Sequence, residues 1–170
     1  MISAAPSTDA KDSEPPSGGG QPVNPILDVR DFSLDDLDPI LAIEKSSFVK
    51  PLGKQGFKKE MSLPFSRMRV VTDAKIIGGY INYWILDDEV HILNIAVSPT
   101  MRRQGLAKAL FDDMVVCTPL QSTYHLELRV SNHGALKFYE KFGFKVVGKR
   151  KSYYQDNQED AFLMSWLKPL

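Results

Sequence analysis

The middle of the chain carries the clearest pattern of apolar and polar positions. Residues 90–97 form an apolar run rich in Val, Ile and Leu that stops at Ser98-Pro99, which predicts a buried strand. Five apolar residues then recur at helical spacing: Ala107, Leu110, Phe111, Met114 and Val115. This stripe predicts a helix over about residues 104–116. Gly105 therefore lies in a strand-to-helix turn, at a helix N-terminus.

The rest of the chain divides into six further strands and three further helices. The strands are predicted at residues 26–32, 67–72, 75–86, 123–130, 144–154 and 160–167. The helices are predicted at residues 39–47, with Asp38 as N-cap, at residues 56–62, and from Asn132 to a stop at Gly143. Asp73-Ala74 is predicted to form the turn of the first hairpin. The resulting order β, α, α, β, β, β, α, β, α, β, β predicts an α+β fold with a mixed sheet.

The N-terminal segment differs from this pattern. Residues 1–25 contain five prolines, a run of three glycines and almost no large apolar side chains. Such a segment buries too little apolar surface to offset the conformational entropy lost on folding, so residues 1–25 are predicted to be a disordered tail. Residues 26–170 are long enough to form one domain with its own core.

Composition and charge narrow the class of protein. Lys+Arg and Asp+Glu are equal at 21 each, so the bulk charge favours neither nucleic acid nor an anionic membrane as partner. No stretch of apolar residues is long enough to span a membrane, and no secretory pattern opens the chain, so a cytoplasmic location is expected. The only cysteine, Cys117, follows the apolar helix stripe and is predicted to be a small core residue rather than a nucleophile.

The turn at Gly105 is a candidate site for an anion. A helix N-terminus presents unpaired amide groups and the positive end of the helix dipole, and glycine has no side chain to keep a phosphate away. The spacing Arg102-x-x-Gly105-x-Ala107 is neither a P-loop nor a dinucleotide-binding fingerprint. On these residues alone, an ordinary turn glycine is the more frequent case.

Four motifs give the chain a family resemblance. They read NIAVSPTMRRQGLA at residues 94–107, LELRVSN at 126–132, ALKFYEKFGF at 135–144, and RKSYY at 150–154 followed by EDA at 159–161. With these motifs the chain, over about residues 27–167, resembles the Gcn5-related N-acetyltransferase (GNAT) superfamily. The last three motifs resemble the RimI-type N-terminal protein acetyltransferases, which act on ribosomal-protein alanine. The resemblance implies the GNAT fold, a mostly antiparallel sheet splayed at the acetyl-CoA site and flanked by about four helices.

The resemblance also implies where acetyl-CoA binds. The site lies between the strand that ends at Val97 and the strand that begins at Thr123. The implied cofactor-binding residues are Ile95, Ala96 and Val97, whose backbone pairs with the pantetheine arm, then Arg103, Gln104, Gly105, Leu106, Ala107 and Lys108 at the pyrophosphate, and Asn132 at the arm. A plain core strand is the alternative for residues 95–97. No metal ion is expected as a cofactor.

Two side chains match the catalytic positions of RimI-type enzymes. Glu127 is implied as general base for direct attack by the acceptor amine, and Tyr139 as general acid for the leaving thiolate. Glu127 could instead belong to a solvated polar row with His125 and Arg129, and Tyr139 could be a core residue of its helix. His125 is a possible second base.

The acceptor implied by the resemblance is the α-amino group of a protein N-terminus, with the N-terminal alanine of a ribosomal protein as the candidate. Lysine or a small amine remains an alternative acceptor, and a non-catalytic acetyl-CoA-binding module remains an alternative function. The chain departs from the family at Pro51-Leu52, where RimI-type enzymes tend to carry Pro-Trp. That loop helps to hold the acceptor, so the departure affects the acceptor sequence and leaves the acetyl-CoA site unchanged.

Overall fold

The computed structural model describes residues 27–169. The predicted tail at residues 1–25 lies outside the described residues. Within them, the α-helices are α1 (Leu37–Ser47), α2 (Gly53–Met61), α3 (Leu106–Cys117) and α4 (His133–Lys141). The strands are β1 (Leu27–Asp31), β2 (Ser66–Asp73), β3 (Ile76–Leu86), β4 (Glu89–Val97), β5 (Thr123–Arg129), β6 (Lys145–Tyr154) and β7 (Glu159–Leu167). The predicted order of elements is confirmed.

The strands form one sheet in the order β1-β2-β3-β4-β5-β7-β6. Neighbouring strands are antiparallel except for β4 and β5, which are parallel. The chain reaches β5 from β4 through α3, as a parallel connection requires. The family expectation of an α+β GNAT fold with a mostly antiparallel sheet and four flanking helices is confirmed.

The sheet opens between β4 and β5. Pairing between these strands covers four residue pairs, from Glu89↔Thr123 to Ile92↔Leu126. Beyond Leu126, β5 continues to pair with β7, and β4 continues to pair with β3 up to Val97. The two strands therefore separate after Ile92, which is the splay that the resemblance implied.

Apolar side chains cover both faces of the sheet, because side chains alternate along each strand. On one face, α3 and α4 pack on the sheet through a cluster that includes Leu110, Phe111 and Tyr139. On the other face, α1 and α2 pack through a smaller cluster that includes Ile40 and Phe57. We refer to them as the α3/α4 face and the α1/α2 face.

Three local predictions were wrong. Helix α1 begins at Leu37 instead of Pro39, because Ser33 and Asp36 already form a capping box around a preceding 3-10 turn. The β2–β3 turn is Ala74-Lys75, both at positive φ, instead of Asp73-Ala74. Cys117 is exposed, because it is the last residue of α3 and lies beyond the buried stripe that ends at Met114.

Residues 27–169 contain neither a candidate membrane span nor a candidate metal site. None of the helices combines the length and the apolar character that crossing a membrane would need. No three side chains of the types His, Cys, Asp and Glu form a group that could hold a metal ion.

Candidate active site

The β4–α3 turn presents a helix N-terminus to solvent. Gly105 is the N-cap of α3 and has a φ of 88°, and Arg103 two residues earlier has a φ of 64°. Glycine adopts this left-handed conformation without steric cost, whereas other residues are strained there. No heavy atom lies within 4 Å of where a Cβ on Gly105 would be. The first amide groups of α3 therefore face open space, as an anion-binding turn requires.

A cavity of about 520 Å³ adjoins this turn on the α3/α4 face. Its wall carries five cationic side chains and, among the described residues, no acidic one. Arg102, Arg103 and Lys108 come from the turn and the start of α3, and Lys137 and Lys141 come from α4. The rest of the wall consists of Ile95, Val97, Met101, Gly105, Leu106, Ala107, Gly134, Phe138 and Phe142. The cavity therefore joins an apolar channel to a cationic rim.

Most of the predicted cofactor-binding residues meet in this cavity. Seven of them line it: Ile95, Val97, Arg103, Gly105, Leu106, Ala107 and Lys108. The side chain of Ala96 packs on the α1/α2 face, so only its backbone could contribute. The Gln104 side chain is exposed and bonds the Thr100 carbonyl at 3.4 Å.

Asn132 has a structural function at the end of β5. Its side-chain oxygen accepts a hydrogen bond from the amide of Ala135 at 3.1 Å and so caps α4. Asn132 does not line the cavity. The predicted contact with the pantetheine arm is untested and stays a prediction.

Sequence reasoning missed half of the cavity wall. The missed residues are Met101, Arg102, Gly134, Lys137, Phe138, Lys141 and Phe142. Four of them belong to α4, at positions 134, 137, 138 and 141, the spacing of one helix face. The sequence pattern is enough to predict that face. It does not predict that the face approaches the β4–α3 turn, because that depends on how α3 packs against α4.

The lining of the cavity suits acetyl-CoA in polarity and charge. An elongated thioester with an apolar arm and several phosphates needs an apolar channel that ends at cations and unpaired amide groups. The separated end of β4 also leaves backbone groups without a β5 partner from Leu93 to Val97. These groups could pair with an extended, amide-containing arm as a strand would.

Glu127 lies at the point where the sheet opens. It follows Leu126, the last residue of β5 that pairs with β4. Its neighbours Leu126 and Leu128 pack on the α3/α4 face, so Glu127 points to the α1/α2 face. The side chain is only 14% exposed. The alternative of a freely solvated polar row is therefore wrong.

Both oxygens of the Glu127 carboxylate have partners on β6. Arg150 Nη1 donates to Oε1 at 2.6 Å, and the Tyr153 hydroxyl donates to Oε2. Burial and the bond to Glu127 raise the pKa of Tyr153 to about 12, so its hydroxyl keeps its proton at neutral pH. The carboxylate is held in one orientation by two donors.

His125 lies two residues before Glu127 on the same strand face. Its ring centroid is 5.3 Å from that of His91, on the paired part of β4. Burial and the nearby His91 lower the pKa of His125, which favours its neutral form. A function as second base is untested and stays a hypothesis.

Tyr139 is fully buried among aromatic rings on the α3/α4 face. The rings of Phe138 and Phe144 lie 5.2 and 5.3 Å from it, both edge-on. Among residues 27–169 its hydroxyl has no hydrogen-bond partner. Burial raises the pKa of Tyr139 above its ordinary value. The ring is therefore part of the core, and the hydroxyl is a buried donor without a partner among these residues. Tyr139 does not line the cavity.

A charged cluster fixes the β6–β7 turn next to Glu127. Arg129 donates to both carboxylate oxygens of Asp156 at 2.8 Å and to Glu159 at 3.1 Å. Its guanidinium also lies 3.8 Å from the centroid of the Tyr154 ring. These contacts join the end of β5 to the turn that follows Tyr153, and so hold the hydroxyl that bonds Glu127.

The loop between α1 and α2 is anchored by a buried carboxylate. Glu44 is fully buried and accepts hydrogen bonds from the amides of Leu52 and Gly53, at 2.6 and 3.2 Å, and from the Tyr80 hydroxyl. The sequence that departs from the family, Pro51-Leu52, is therefore fixed at its backbone. An effect of this departure on the choice of acceptor would come from the loop's side chains, since its backbone is held by Glu44.

Comparison with known proteins agrees with this geometry. The family model of the acetyltransferase (GNAT) domain matches residues 29–157. A Bacillus subtilis protein, provisionally named as a ribosomal protein bS18-alanine N-acetyltransferase, is 40% identical over 139 residues, which are 80% of this chain and 92% of the relative. The Escherichia coli K12 enzyme of that name is 31% identical over 134 residues, or 76% of this chain and 90% of the relative.

A solved structure gives the same result for the fold. The crystal structure of the ribosomal-protein-S18-alanine N-acetyltransferase from Escherichia coli superposes with a TM-score of 0.77 at 26% identity. The match covers 85% of this chain and 96% of that protein. With a family model over most of the chain and a relative at 40% identity, the chain belongs to the GNAT acetyltransferases, as an N-acetyltransferase of the RimI type.

Proposed function

We propose that this protein transfers the acetyl group of acetyl-CoA to the α-amino group of a protein N-terminus. The acceptor we favour is the N-terminal alanine of a ribosomal protein. Glu127 is the general base, and Tyr139 is the general acid. One observation carries the proposal, namely that Glu127 is the first residue of β5 beyond the last β4–β5 pair, beside the opening between these two strands.

The position of Glu127 supports a direct attack. An ammonium group cannot attack a carbonyl, so the acceptor must first lose a proton to a base next to the opening. Glu127 points to the α1/α2 face and is held there by Arg150 and Tyr153 of β6. An extended chain terminus that reaches this face at the opening would bring its amine to this carboxylate.

Tyr139 supports the second proton transfer. Acetyl-CoA supplies, when bound, an acyl carbon activated as a thioester and a thiolate leaving group. Burial raises the pKa of Tyr139, so its hydroxyl is protonated at neutral pH and holds a proton that the departing thiolate can take up. A backbone amide near Val97, on the unpaired end of β4, could donate a hydrogen bond to the thioester oxygen.

An α-amine suits this site better than a lysine. The α-amino pKa is near 8 and that of lysine near 10.4, so neutralising lysine at pH 7 costs about 3 kcal/mol more. The Glu127 carboxylate already holds hydrogen bonds from Arg150 and Tyr153. The acceptor that loses its proton at the lower cost is the one we favour for this carboxylate.

The named relatives supply the acceptor class. The Bacillus subtilis and Escherichia coli relatives carry ribosomal protein bS18 and alanine in their names. We propose the same acceptor for this protein, and a peptide with an N-terminal alanine is the first substrate to test. The loop at Pro51-Leu52 departs from the family. We therefore expect the preferred acceptor peptide to differ from that of the relatives in the residues that follow its N-terminal alanine.

The test is acetyl transfer to two peptides by the full chain and by Glu127→Gln. One peptide begins with a free alanine; the other has the same sequence with a blocked N-terminus and one internal lysine. We expect acetylation of the free N-terminus and a loss in Glu127→Gln of about a hundredfold or more, larger at pH 6.5 than at pH 9, where more of the amine is already neutral.

A matched control is Glu89→Gln, which removes an exposed carboxylate at the far end of β4 and should leave the rate unchanged. If the blocked peptide reacts faster, the acceptor is the lysine side chain and the proposed α-amine is wrong. A Glu127→Gln variant with the parental rate across the whole pH range would remove Glu127 from the chemistry.

A further inference from the structure

Two lysines of α4 line the same cavity as the β4–α3 turn. Lys137 and Lys141 are four residues apart, so they lie on one face of the helix with their Cβ atoms about 5–6 Å from each other. Both side chains are exposed. In residues 27–169 neither forms a salt bridge, although the chain as a whole carries as many acidic as basic residues.

The cavity has more positive charge than a pyrophosphate needs. A pyrophosphate at the β4–α3 turn would meet the first amide groups of α3 and the side chain of Arg103. Lys108, on the same side, is already paired with Asp112 at 2.5 Å. Lys137 and Lys141 belong to a different helix of the cavity wall, α4. They are therefore placed for a second anionic group on the same ligand.

We propose that Lys137 and Lys141 bind the 3′-phosphate of CoA and make this protein select CoA over dephospho-CoA. This inference rests on the use of acetyl-CoA in the proposed function. A phosphomonoester carries about −1.5 to −2 charges at pH 7 and offers three acceptor oxygens, more than either group of the pyrophosphate. Two flexible ammonium groups one helical turn apart can close on such a group from two sides.

The two lysines share α4 with Tyr139, the proposed general acid, but residues two positions apart on a helix do not share a face. Tyr139 is buried, whereas both lysines are exposed. Glu127 and its partners lie on the α1/α2 face, whereas the two lysines lie on the α3/α4 face. Removing their charges should therefore weaken binding of the nucleotide end and leave the reaction of bound substrates unchanged. An effect limited to compounds that carry the 3′-phosphate is the signature of the proposed contact.

The test is calorimetric titration of the full chain with CoA and with dephospho-CoA, which needs no acceptor and no turnover. The parent protein should bind CoA about tenfold or more tightly than dephospho-CoA at low salt, because two charge-assisted contacts are lost with the phosphate. The double variant Lys137→Gln/Lys141→Gln should bind both compounds equally, and as tightly as the parent binds dephospho-CoA.

A matched control removes the same charges elsewhere. Lys54 and Lys58 are also exposed, four residues apart and on a nine-residue helix, but α2 covers the other face of the sheet. Lys54→Gln/Lys58→Gln should keep the parental preference for CoA. If it loses that preference equally, the effect is one of net charge, and the proposed contact is wrong.

The remaining outcomes separate this inference from the proposed function. A parent protein that binds CoA and dephospho-CoA equally overturns the phosphate site, even if it acetylates the alanine peptide. A double variant that still prefers CoA as the parent does also overturns it. A parent that prefers CoA, with the preference lost in the α4 variant, supports the site even if the tested peptides are not acetylated.

Discussion

Replacement of Tyr139 by Phe should give a protein that is more stable and nearly inactive. The change keeps the ring that packs between Phe138 and Phe144 and removes only the hydroxyl. That hydroxyl is fully buried and has no hydrogen-bond partner in residues 27–169. A buried donor without a partner loses its hydration without compensation, so its removal should raise the free energy of unfolding by about 1 kcal/mol.

The activity should change in the other direction. If Tyr139 gives its proton to the departing thiolate, the Phe variant should lower kcat about a hundredfold, the usual scale for a positioned general acid. The gain in stability corresponds to an increase in Tm of about 3 °C for a chain of this size. Thermal unfolding of the free protein, and kcat at saturating acetyl-CoA and peptide with chemistry rate-limiting, measure the two effects.

Tyr124 provides the control for the same chemical change. It is also fully buried, but its hydroxyl shares a hydrogen bond with Thr118 at the end of the sheet where β4 and β5 remain paired. Tyr124→Phe should lower the free energy of unfolding by about 1 kcal/mol and leave kcat unchanged. A Tyr139→Phe protein with parental kcat, or one that is less stable than the parent, would refute the reasoning.

Three further predictions concern the turn, the acid limit of stability and the tail. Gly105→Glu should abolish CoA binding in calorimetry, while Gly105→Ala, with the same positive φ but no charge, should retain part of it; parental binding by the Glu variant would make the turn purely structural. Burial would raise the pKa of Glu159, but hydrogen bonds from Ser131, Asn157 and Arg129 outweigh it and lower the pKa from 4.5 to about 2. The stabilisation is therefore present above pH 4.5 and is lost as pH falls towards 2, so Tm should fall less over this range in Glu159→Gln than in the parent; equal slopes would contradict it. Deletion of residues 1–24 should leave CoA affinity and turnover unchanged, and a large loss of either would assign the tail to the site.

The sequence predicted the elements and the turn well, because their signals are local. The apolar run before Ser98, the helix stripe and Gly105 each have a meaning that depends on neighbouring residues. The start of α1 was wrong because two neighbouring sequence motifs each fit a helix start. Asp38-Pro39 fits a helix start, but Ser33 and Asp36 form a capping box five residues earlier and begin the turn first.

The environment of the candidate catalytic residues was less accessible to sequence reasoning. Glu127 alternates with apolar residues, as an exposed residue on a half-buried strand would, and only the register of β5, β7 and β6 brings Arg150 and Tyr153 to it. Arg150 and Tyr153 lie 23 and 26 positions after Glu127, so the sequence around Glu127 does not indicate them. Tyr139 illustrates a different limit, because one apolar stripe is compatible with both a core ring and a buried donor.

The opening between β4 and β5 has a consequence for the order in which substrates can enter. The cavity lies on the α3/α4 face, and Glu127 points to the α1/α2 face. Acetyl-CoA and the acceptor would therefore approach from opposite sides of the sheet. They do not compete for one entry route, so both can be bound at the same time. Cys117, the only cysteine, lies at the far end of α3 from Gly105, a helix of about 18 Å, and so cannot carry the acetyl group between them. We therefore expect both substrates to occupy the protein together, with initial-velocity lines that intersect instead of running parallel.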